Sequence, residues 1–273
     1  STGGEAEAFV LSLTPREGLY QVLLKAGGKR APGDLFTFGK LTLELLALGE
    51  EGTFWVKPNL EHDRFLRHLE EEAGIPIPPY IRRGLSDGQD KRDYQTVYAK
   101  EAGSVAAPPA GLHFTTELLQ RLKDQGFKIA YVTLHVGLGT FRPVKTANIT
   151  EHQMHAESYA VSAADAQLIR ESKGNLVAVG TTSLRVLESC WVDGDFDFPQ
   201  EGESRATRIF LHPGKPVHSI RGLITNFHLP QSSLLMLVSA LAGRERTLAL
   251  YEEAKAQKYR FFSYGDAKFL RRS

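Results

Sequence analysis

The stretch LVAVGTTSLR, residues 176–185, decides the fold of most of this chain. Its first four residues form a short apolar run of the kind found in buried strands. Gly180 and the three hydroxyl residues after it indicate that a helix starts directly behind that strand. Similar apolar runs and helical segments alternate from about residue 105 onward. We therefore predict an α/β mixed-sheet domain that binds ligands outside the carboxyl ends of its strands.

The first eighty residues have a different pattern, because Gly and Pro separate short apolar or alternating runs there. Five such runs predict strands, over residues 5–13, 19–25, 34–38, 41–48 and 53–57. Short strands at even spacing, with turn residues between them, are typical of a small antiparallel β-barrel. We expect a small β-barrel domain over residues 1–80 and an α/β domain over residues 81–273.

We also predict the structure of two segments outside these strands. The charged run over residues 63–73 predicts a helix with Gly74 as its C-cap. The acidic, aperiodic residues 193–205 predict a mobile surface loop.

Composition excludes several classes of protein. With 273 residues, 42% of them hydrophobic, the chain can bury a core, so global disorder is excluded. Its apolar runs are shorter than the roughly 18 residues of a membrane helix, and we expect a cytoplasmic protein with no membrane contact. The single cysteine, Cys190, excludes an internal disulfide framework and a cysteine-rich zinc site. A net charge of +1 argues against a general nucleic-acid coat but leaves room for a local basic patch.

Histidines are the first candidates for chemistry, because imidazole titrates near neutrality and can move protons in either direction. His135 ends a predicted strand and His228 follows another, so both point to the ligand-binding edge of the sheet. The alternative for each histidine is a structural role in holding a loop. The candidate proton-transfer residues are His113, His135, His155, Glu157 and His228.

The run EHQMHAE, residues 151–157, offers a second interpretation of the same region. His152, His155 and Glu157 together could ligate a metal ion, as in a metal-dependent hydrolase. The His-Glu-x-x-His spacing of zinc hydrolases is absent, however. A hydrogen-bonded acid/base cluster without a metal is favoured.

Gly180, Thr181 and Thr182 are candidates for binding an anion, because a helix N-terminus presents unpaired N–H groups and a glycine lets a ligand approach the backbone. The alternative is plain helix capping by the same hydroxyl residues. The earlier run that contains Gly137, Gly139 and Thr140 is only a fragment of a dinucleotide-binding fingerprint.

Basic and aromatic residues interleave in one stretch ahead of the α/β pattern. Splayed RNA bases stack on aromatic rings while Arg and Lys contact phosphates. The alternative is a solvated basic face with aromatic residues in the core. The candidate RNA-binding residues are Arg82, Arg83, Lys91, Arg92 and Tyr94.

Seven blocks of sequence, in one order along the chain, resemble the S-adenosylmethionine:tRNA ribosyltransferase-isomerase family of queuosine biosynthesis. They are YQTVYA (94–99), AAPPAGLHFT (106–115), TLHVGLGTFRPV (133–144), EHQMHAE (151–157), GTTSLR (180–185), TNFHLP (225–230) and RFFSYGDA (260–267). The chain departs from the family pattern at Pro109, where Thr is usual. Family members also begin with a further segment ahead of the part that matches residues 1–4, and the resemblance assigns that segment to the larger domain.

The resemblance implies a reaction in which S-adenosylmethionine donates its ribosyl group to the aminomethyl-7-deazaguanine at the tRNA wobble position. Adenine and methionine leave, and the product is epoxyqueuosine-tRNA. Such chemistry needs a base for the proton on the ribose 5′ carbon and an acid for adenine departure, which a histidine-rich pocket supplies. S-adenosylmethionine is then a co-substrate, and neither a cofactor nor a metal is required.

The same resemblance assigns residues to the two substrates of a monomeric enzyme whose α/β domain is catalytic. The residues expected to bind S-adenosylmethionine are Gly137, Gly139, Thr140, Gly180, Thr181, Thr182 and Arg185. Arg185 and the helix N-terminus are expected to meet its methionine carboxylate. The candidate RNA-binding residues become tRNA contacts. Two alternatives stay open, the metal-dependent hydrolase and a non-catalytic RNA-binding module built on the barrel.

Overall fold

The computed structural model describes residues 4–78, 80–84, 86–100, 104, 106–136 and 154–272. The chain divides into two compact units, Ser1–Arg92 and Asp93–Ser273. Among the described residues, no helix is both long and apolar enough to cross a membrane.

The first unit is built on a five-stranded antiparallel sheet, and every predicted strand is found in it. The strands are β1 (Ala6–Val10), β2 (Tyr20–Ala26), β3 (Leu35–Phe38), β4 (Leu41–Leu48) and β5 (Phe54–Pro58). Their order is β1-β2-β5-β4-β3, so β1 and β3 form the two edges of the described sheet. Closure into a barrel therefore stays a prediction, as does a domain boundary near residue 80.

The core of this unit follows from the period-two pattern of β4. Leu41, Leu43 and Leu45 are buried, whereas Glu44 between them is exposed. Helix α1 (His62–Glu71) covers that face through Phe65, which is fully buried and lies 4.4 Å from Tyr20 between ring centroids.

The predicted end of this helix is wrong. Its C-cap is Glu72, in a right-handed conformation, and not Gly74. Lys91 explains the difference, because its Nζ donates to the carbonyl oxygens of Glu70 and Glu71 at 3.0 and 3.2 Å. A lysine from outside the helix thus satisfies its last carbonyls, and no glycine cap is required. Lys91 is the second residue of a short helix, α2 (Asp90–Asp93).

The second unit has the predicted mixed α/β character. Three strands, β6 (Thr133–His135), β7 (Glu157–Ala160) and β11 (Arg205–Thr207), form an antiparallel sheet in the order β11-β7-β6. Another sheet has the order β13-β12-β8, with β8 (Val177–Val179), β12 (Gly222–Asn226) and β13 (Ala267–Arg271). In it β12 runs parallel to β8 and antiparallel to β13. This is the sheet that the LVAVGTTSLR stretch predicts.

Five helices accompany these sheets in the described residues. They are α3 (Thr116–Asp124), α4 (Ala163–Glu171), α5 (Thr181–Cys190), α6 (Ser233–Ala242) and α7 (Arg244–Ala256). Local sequence explains where two of them begin. Thr115 Oγ1 accepts from the backbone N–H of Leu118, and Ser162 Oγ accepts from that of Asp165, each at 3.1 Å. The apolar faces of α4, α5 and α6 enclose one core with residues from both sheets.

The prediction of a mobile surface loop over residues 193–205 is wrong. β9 (Trp191–Val192) pairs with β10 (Asp195–Phe196) in a short hairpin. Phe196 and Phe198 are both 4% exposed and stack with ring centroids 5.2 Å apart. The acidic residues that suggested a loop face solvent, while the two phenylalanines between them anchor the segment in the core.

Replacing Phe198 by Ala should lower the free energy of unfolding by about 3–5 kcal/mol, because a buried aromatic side chain leaves a cavity. Val192→Ala, in the same hairpin but at a side chain 52% exposed, is the control and should cost little. Urea unfolding of the two variants measures the difference. Equal midpoints for Phe198→Ala and wild type would show that the segment is not packed.

Candidate active site

The parallel strands β8 and β12 end side by side. Val179 lies opposite Ile224, and the N–H of Gly180 donates to the Ile224 carbonyl at 2.8 Å. Beyond these ends the chain turns into α5 on one side and continues to His228 on the other. This edge of the sheet is where an α/β fold binds ligands.

Gly180 is the N-cap of α5, with φ 88° and ψ 152°, a backbone conformation that favours glycine. It makes no side-chain capping hydrogen bond, and Ser183 Oγ donates instead to the Val179 carbonyl at 2.8 Å. The N-cap residue thus has no side chain to cap the helix, and both interpretations of the stretch, capping by hydroxyls and anion binding, stay predictions.

A 3-10 helix, Pro109–His113, packs on β12 beside Gly180. A Cβ added at Gly180 would lie 3.8 Å from Ala110 Cβ. His113 is exposed at the end of this helix and lies close to Asp266. Hydrogen bonds from Arg260 hold the pKa of Asp266 below its ordinary value, and the positive charge of His113 adds to this effect. His113 is thus the last residue of an element that packs on β12.

Arg185 and Glu157 form a buried ion pair that links α5 to β7. Arg185 is 5% exposed and Glu157 is 3% exposed, and Nη1 of the arginine contacts Oε2 of the glutamate. Nε and Nη2 of Arg185 are also buried but have no hydrogen-bond partner among the described residues. The sequence singled out both residues for other reasons, and their pairing is visible only in the structure.

Arg185 lines a small pocket whose other walls are almost entirely apolar. They are formed by Met154, Ile209, Phe210, Leu211, Ser233, Leu234 and Leu237. A guanidinium edge with two unused donors in such a place is suited to a carboxylate that carries an aliphatic chain.

Two further histidine candidates lie near this ion pair in sequence and sheet register. His135 ends β6 and is half-buried, and its Cα partner is Ser158, the neighbour of Glu157. His155 is exposed, two residues before Glu157. No group of three or more His, Cys, Asp and Glu side chains forms a potential metal site in the described part of the chain, from which His152 is missing.

His228 is held by two hydrogen bonds and surrounded by a polar cluster that sequence reasoning missed. Its Nε2 lies 2.8 Å from Thr225 Oγ1, and its backbone N–H donates to Tyr251 Oη at 2.8 Å. Burial, together with the positive charge of Lys268, lowers the pKa of His228 to about 3. His228 is therefore neutral at physiological pH.

Lys268 is the residue of this cluster that no sequence pattern indicated. Its Nζ lies 4.5 Å from the ring centroid of Phe227 and 4.0 Å from that of Tyr251. It is buried without a hydrogen-bond partner among the described residues, and burial lowers its pKa from 10.5 to about 7. Nothing in the sequence distinguishes Lys268 from other strand lysines. In the structure it lies on β13, paired with Thr225 of β12.

Several candidate tRNA-binding residues make contacts inside the protein. Arg82 forms ion pairs with Asp87 and with the buried Asp90, and Lys91 caps α1. Tyr94 is 4% exposed, and its Oη lies 3.3 Å from Ser263 Oγ. Its ring is therefore buried in the second unit, whereas Arg92 is exposed.

Several predicted site residues cannot be placed. Gly137, Gly139, Thr140 and His152 lie outside the described residues, as does the side chain of Arg83.

Comparison with known proteins decides the family. A profile of the queuosine biosynthesis protein family matches residues 1–270. The chain belongs to this family. The resemblance found in the seven sequence blocks is thereby confirmed.

Relatives in the queuosine biosynthesis family share nearly half of their residues with this chain. A protein of Acetivibrio thermocellus is 49% identical over 276 residues, covering 99% of this chain and 78% of the relative. One of Natranaerobius thermophilus is 46% identical, with the same two coverages. A third, of Lachnoclostridium phytofermentans, is 47% identical over 98% of this chain and 73% of its own length. All three are named S-adenosylmethionine:tRNA ribosyltransferase-isomerase.

A solved structure of S-adenosylmethionine tRNA ribosyltransferase from Thermotoga maritima is also similar. It is 30% identical, and the match covers 97% of this chain and 74% of that one with a TM-score of 0.47.

Replacing Lys268 by Met should stabilise the protein, because a thioether fits beside the two rings with no charge to desolvate. The gain should be full below about pH 7, where folded and unfolded chains both hold the lysine proton. Between pH 7 and 10.5 only the unfolded chain holds it, so the wild type gains stability as pH rises and the advantage of Met shrinks. Urea unfolding across this range measures the trend.

Lys255→Met is the matched control, because Lys255 is exposed and paired only with Glu252 on the surface of α7. It should change stability little at any pH. A gain for Lys268→Met that stays constant up to pH 10 would contradict the low pKa of Lys268.

Proposed function

We propose that this enzyme transfers and isomerises the ribosyl group of S-adenosylmethionine onto the 7-deazaguanine at the tRNA wobble position, with Arg185 as the residue that binds the methionine carboxylate. The observation that carries the proposal is the buried guanidinium of Arg185, a residue that lines an apolar pocket and has two donors without a partner among the described residues. Methionine has the matching parts, a carboxylate and a flexible apolar chain.

The ion pair with Glu157 gives the guanidinium its orientation. Glu157 occupies Nη1, which leaves Nε and Nη2 as one free edge with two parallel donors. A carboxylate accepts from such an edge in a bidentate manner, with geometric selectivity that a lysine lacks. Glu157 accordingly acts as a positioning residue in our proposal, and its negative charge compensates a buried cation.

Thr181 and Gly180 support a second contact with the same substrate. Thr181 precedes Arg185 by four residues, so the two buried side chains lie on one face of α5, a turn apart. The first-turn N–H groups and the positive end of the helix dipole favour a negatively charged group there.

We assign the two proton transfers to histidines other than His228. With a pKa of about 3, His228 is too weak a base to hold a proton at neutral pH and cannot serve as the acid. The proposed groups are His113, the last residue of the 3-10 helix that packs on β12, and His135, the last residue of β6. His155, two residues before Glu157 in the sequence, is a third candidate for proton transfer.

tRNA binding and the remaining expectations complete the proposal. Arg82, Arg83, Lys91 and Arg92 are proposed to contact the phosphate backbone, with exposed Arg92 as the strongest of them. We further propose that the five-stranded sheet closes into a barrel forming a domain of its own. We also propose that the enzyme is a cytoplasmic monomer and needs no cofactor.

Adenine release from S-adenosylmethionine, dependent on precursor tRNA, tests the function itself. It separates the transferase from a metal-dependent hydrolase and from an RNA-binding module, neither of which liberates adenine. No adenine above the tRNA-free background would refute the proposal.

Arg185→Gln should raise KM for S-adenosylmethionine roughly tenfold or more, a loss of about 1.4 kcal/mol or above. Because that change alone would strand a buried carboxylate, it is combined with Glu157→Gln, which removes the uncompensated charge. Glu157→Gln alone is the control and keeps the guanidinium in the pocket. Steady-state kinetics of a folded double variant with unchanged KM would exclude Arg185 from the substrate site.

Removing the general base should lower kcat by about 10²–10⁴-fold with little change in tRNA affinity. We expect this for His113→Ala or His135→Ala, whereas His228→Ala should mainly lower the melting temperature. kcat, tRNA affinity and melting temperature are measured for both variants and for His155→Ala and His228→Ala. If all four keep nearly normal kcat, the base is another residue.

A further inference from the structure

Asn226, the last residue of β12, carries a buried acceptor that nothing in the described structure uses. The side chain is 2% exposed, and its Oδ1 has no hydrogen-bond partner among the described residues. Buried polar atoms are almost always paired in folded proteins, so an exception requires an explanation. A ligand that donates to this oxygen is one.

The orientation of the Asn226 amide is fixed by its other half. Nδ2 donates to the carbonyl oxygens of Phe262 and Ser263 at 3.0 and 3.2 Å. Exchanging nitrogen and oxygen would set Oδ1 against two carbonyl oxygens, which excludes the flipped amide. Oδ1 is therefore held in place as an acceptor.

The segment that holds this amide is itself rigid. Arg260 pairs with Asp266 at 2.8 Å, and the Asp266 N–H donates back to the Arg260 carbonyl at 2.9 Å. Gly265 leaves no room for a side chain, because an added Cβ would meet backbone atoms of Arg260 and Phe261 at 2.5 Å. Asn226 thus presents a preorganised acceptor at the carboxyl end of β12, next to the end of β8.

The surroundings of Asn226 select the chemistry of the donor. A neutral amide oxygen near Lys268, on the neighbouring strand, disfavours a cationic donor such as an ammonium group. Tyr264, which follows Ser263 in the chain, is exposed and packs edge-on against the buried ring of Tyr94 at 5.6 Å between centroids, so its own ring provides aromatic surface for a flat base. Asparagine commonly pairs with the exocyclic amine of a purine, and only its acceptor half is unused in this protein.

We infer that Asn226 Oδ1 accepts a hydrogen bond from the exocyclic amine of a purine-type base of the substrates. The inference rests on the proposed function, which supplies two such bases, the adenine of S-adenosylmethionine and the 7-deazaguanine of the tRNA. Asn226 is then a specificity-determining residue that recognises the base while the histidines transfer protons.

The test compares substrate pairs that differ only in the amine, with wild type and Asn226→Ala. One arm compares S-adenosylmethionine with its analogue bearing hydrogen in place of the 6-amine, by kcat/KM. The other compares tRNA with guanosine or inosine at the wobble position, by affinity. Any intrinsic difference within a pair is the same for both proteins and cancels in the ratio of their preferences.

In one of the two arms, the preference of wild type for the amine-bearing partner should exceed the preference of Asn226→Ala about tenfold or more. That arm identifies which base Asn226 recognises. A ratio near one in both arms would overturn the inference, and tRNA-dependent adenine release by the same wild-type enzyme would show that the proposed function still stands.

Two further variants separate recognition from folding. Asn226→Ser removes the amide but leaves a small polar side chain whose oxygen does not reach as far, so it should lose the preference as Asn226→Ala does. Arg260→Ala loosens the same segment without removing the amide oxygen, so it should retain the preference. If Asn226→Ala does not fold, an Asn226→Ser enzyme that keeps the preference would contradict the inference.

Discussion

The buried ion pair between Arg185 and Glu157 is the interaction on which the second unit depends. It joins α5, which leaves the mixed sheet, to β7 of the antiparallel sheet, through residues 28 positions apart in the chain. Two desolvated charges are tolerable there only because each compensates the other. Arg185 lies near the start of α5, whose N-cap is Gly180. The Arg185–Glu157 ion pair therefore also holds the N-terminus of α5 in place relative to both sheets.

Polar atoms left unsatisfied in this unit are concentrated near the strand ends. Among the described residues, Arg185 has two donors and Asn226 an acceptor without a hydrogen-bond partner, and the ammonium of Lys268 lies over two aromatic rings. Such groups cost stability in the free protein and are retained where a ligand or reaction can use them. Their position at the carboxyl edge of β8 and β12 is consistent with the ligand crevice of an α/β sheet.

Two basic residues of the first unit make contacts within the protein. Lys91 completes the C-terminus of α1, and Arg82 neutralises the buried carboxylate of Asp90. Both contacts are internal uses of charge, which a run of basic residues in sequence does not reveal. Arg92 is exposed and has no such internal contact among the described residues.

Sequence by itself determined whatever depends on local periodicity and residue chemistry. The period-two pattern of β4, the caps at Thr115 and Ser162 and the strand-to-helix turn at Gly180 all act within a few residues, so their outcome can be predicted. The seven family blocks likewise identified the family, and candidate residues followed from side-chain type. Only the tertiary structure decided the use of each one: Glu157 contacts Arg185, His228 and Lys268 have lowered pKa values, and Phe196 and Phe198 pack a segment whose composition suggested a loop. The reason is physical, because ion pairing, desolvation and packing depend on distances between residues far apart in the chain, which no local pattern records.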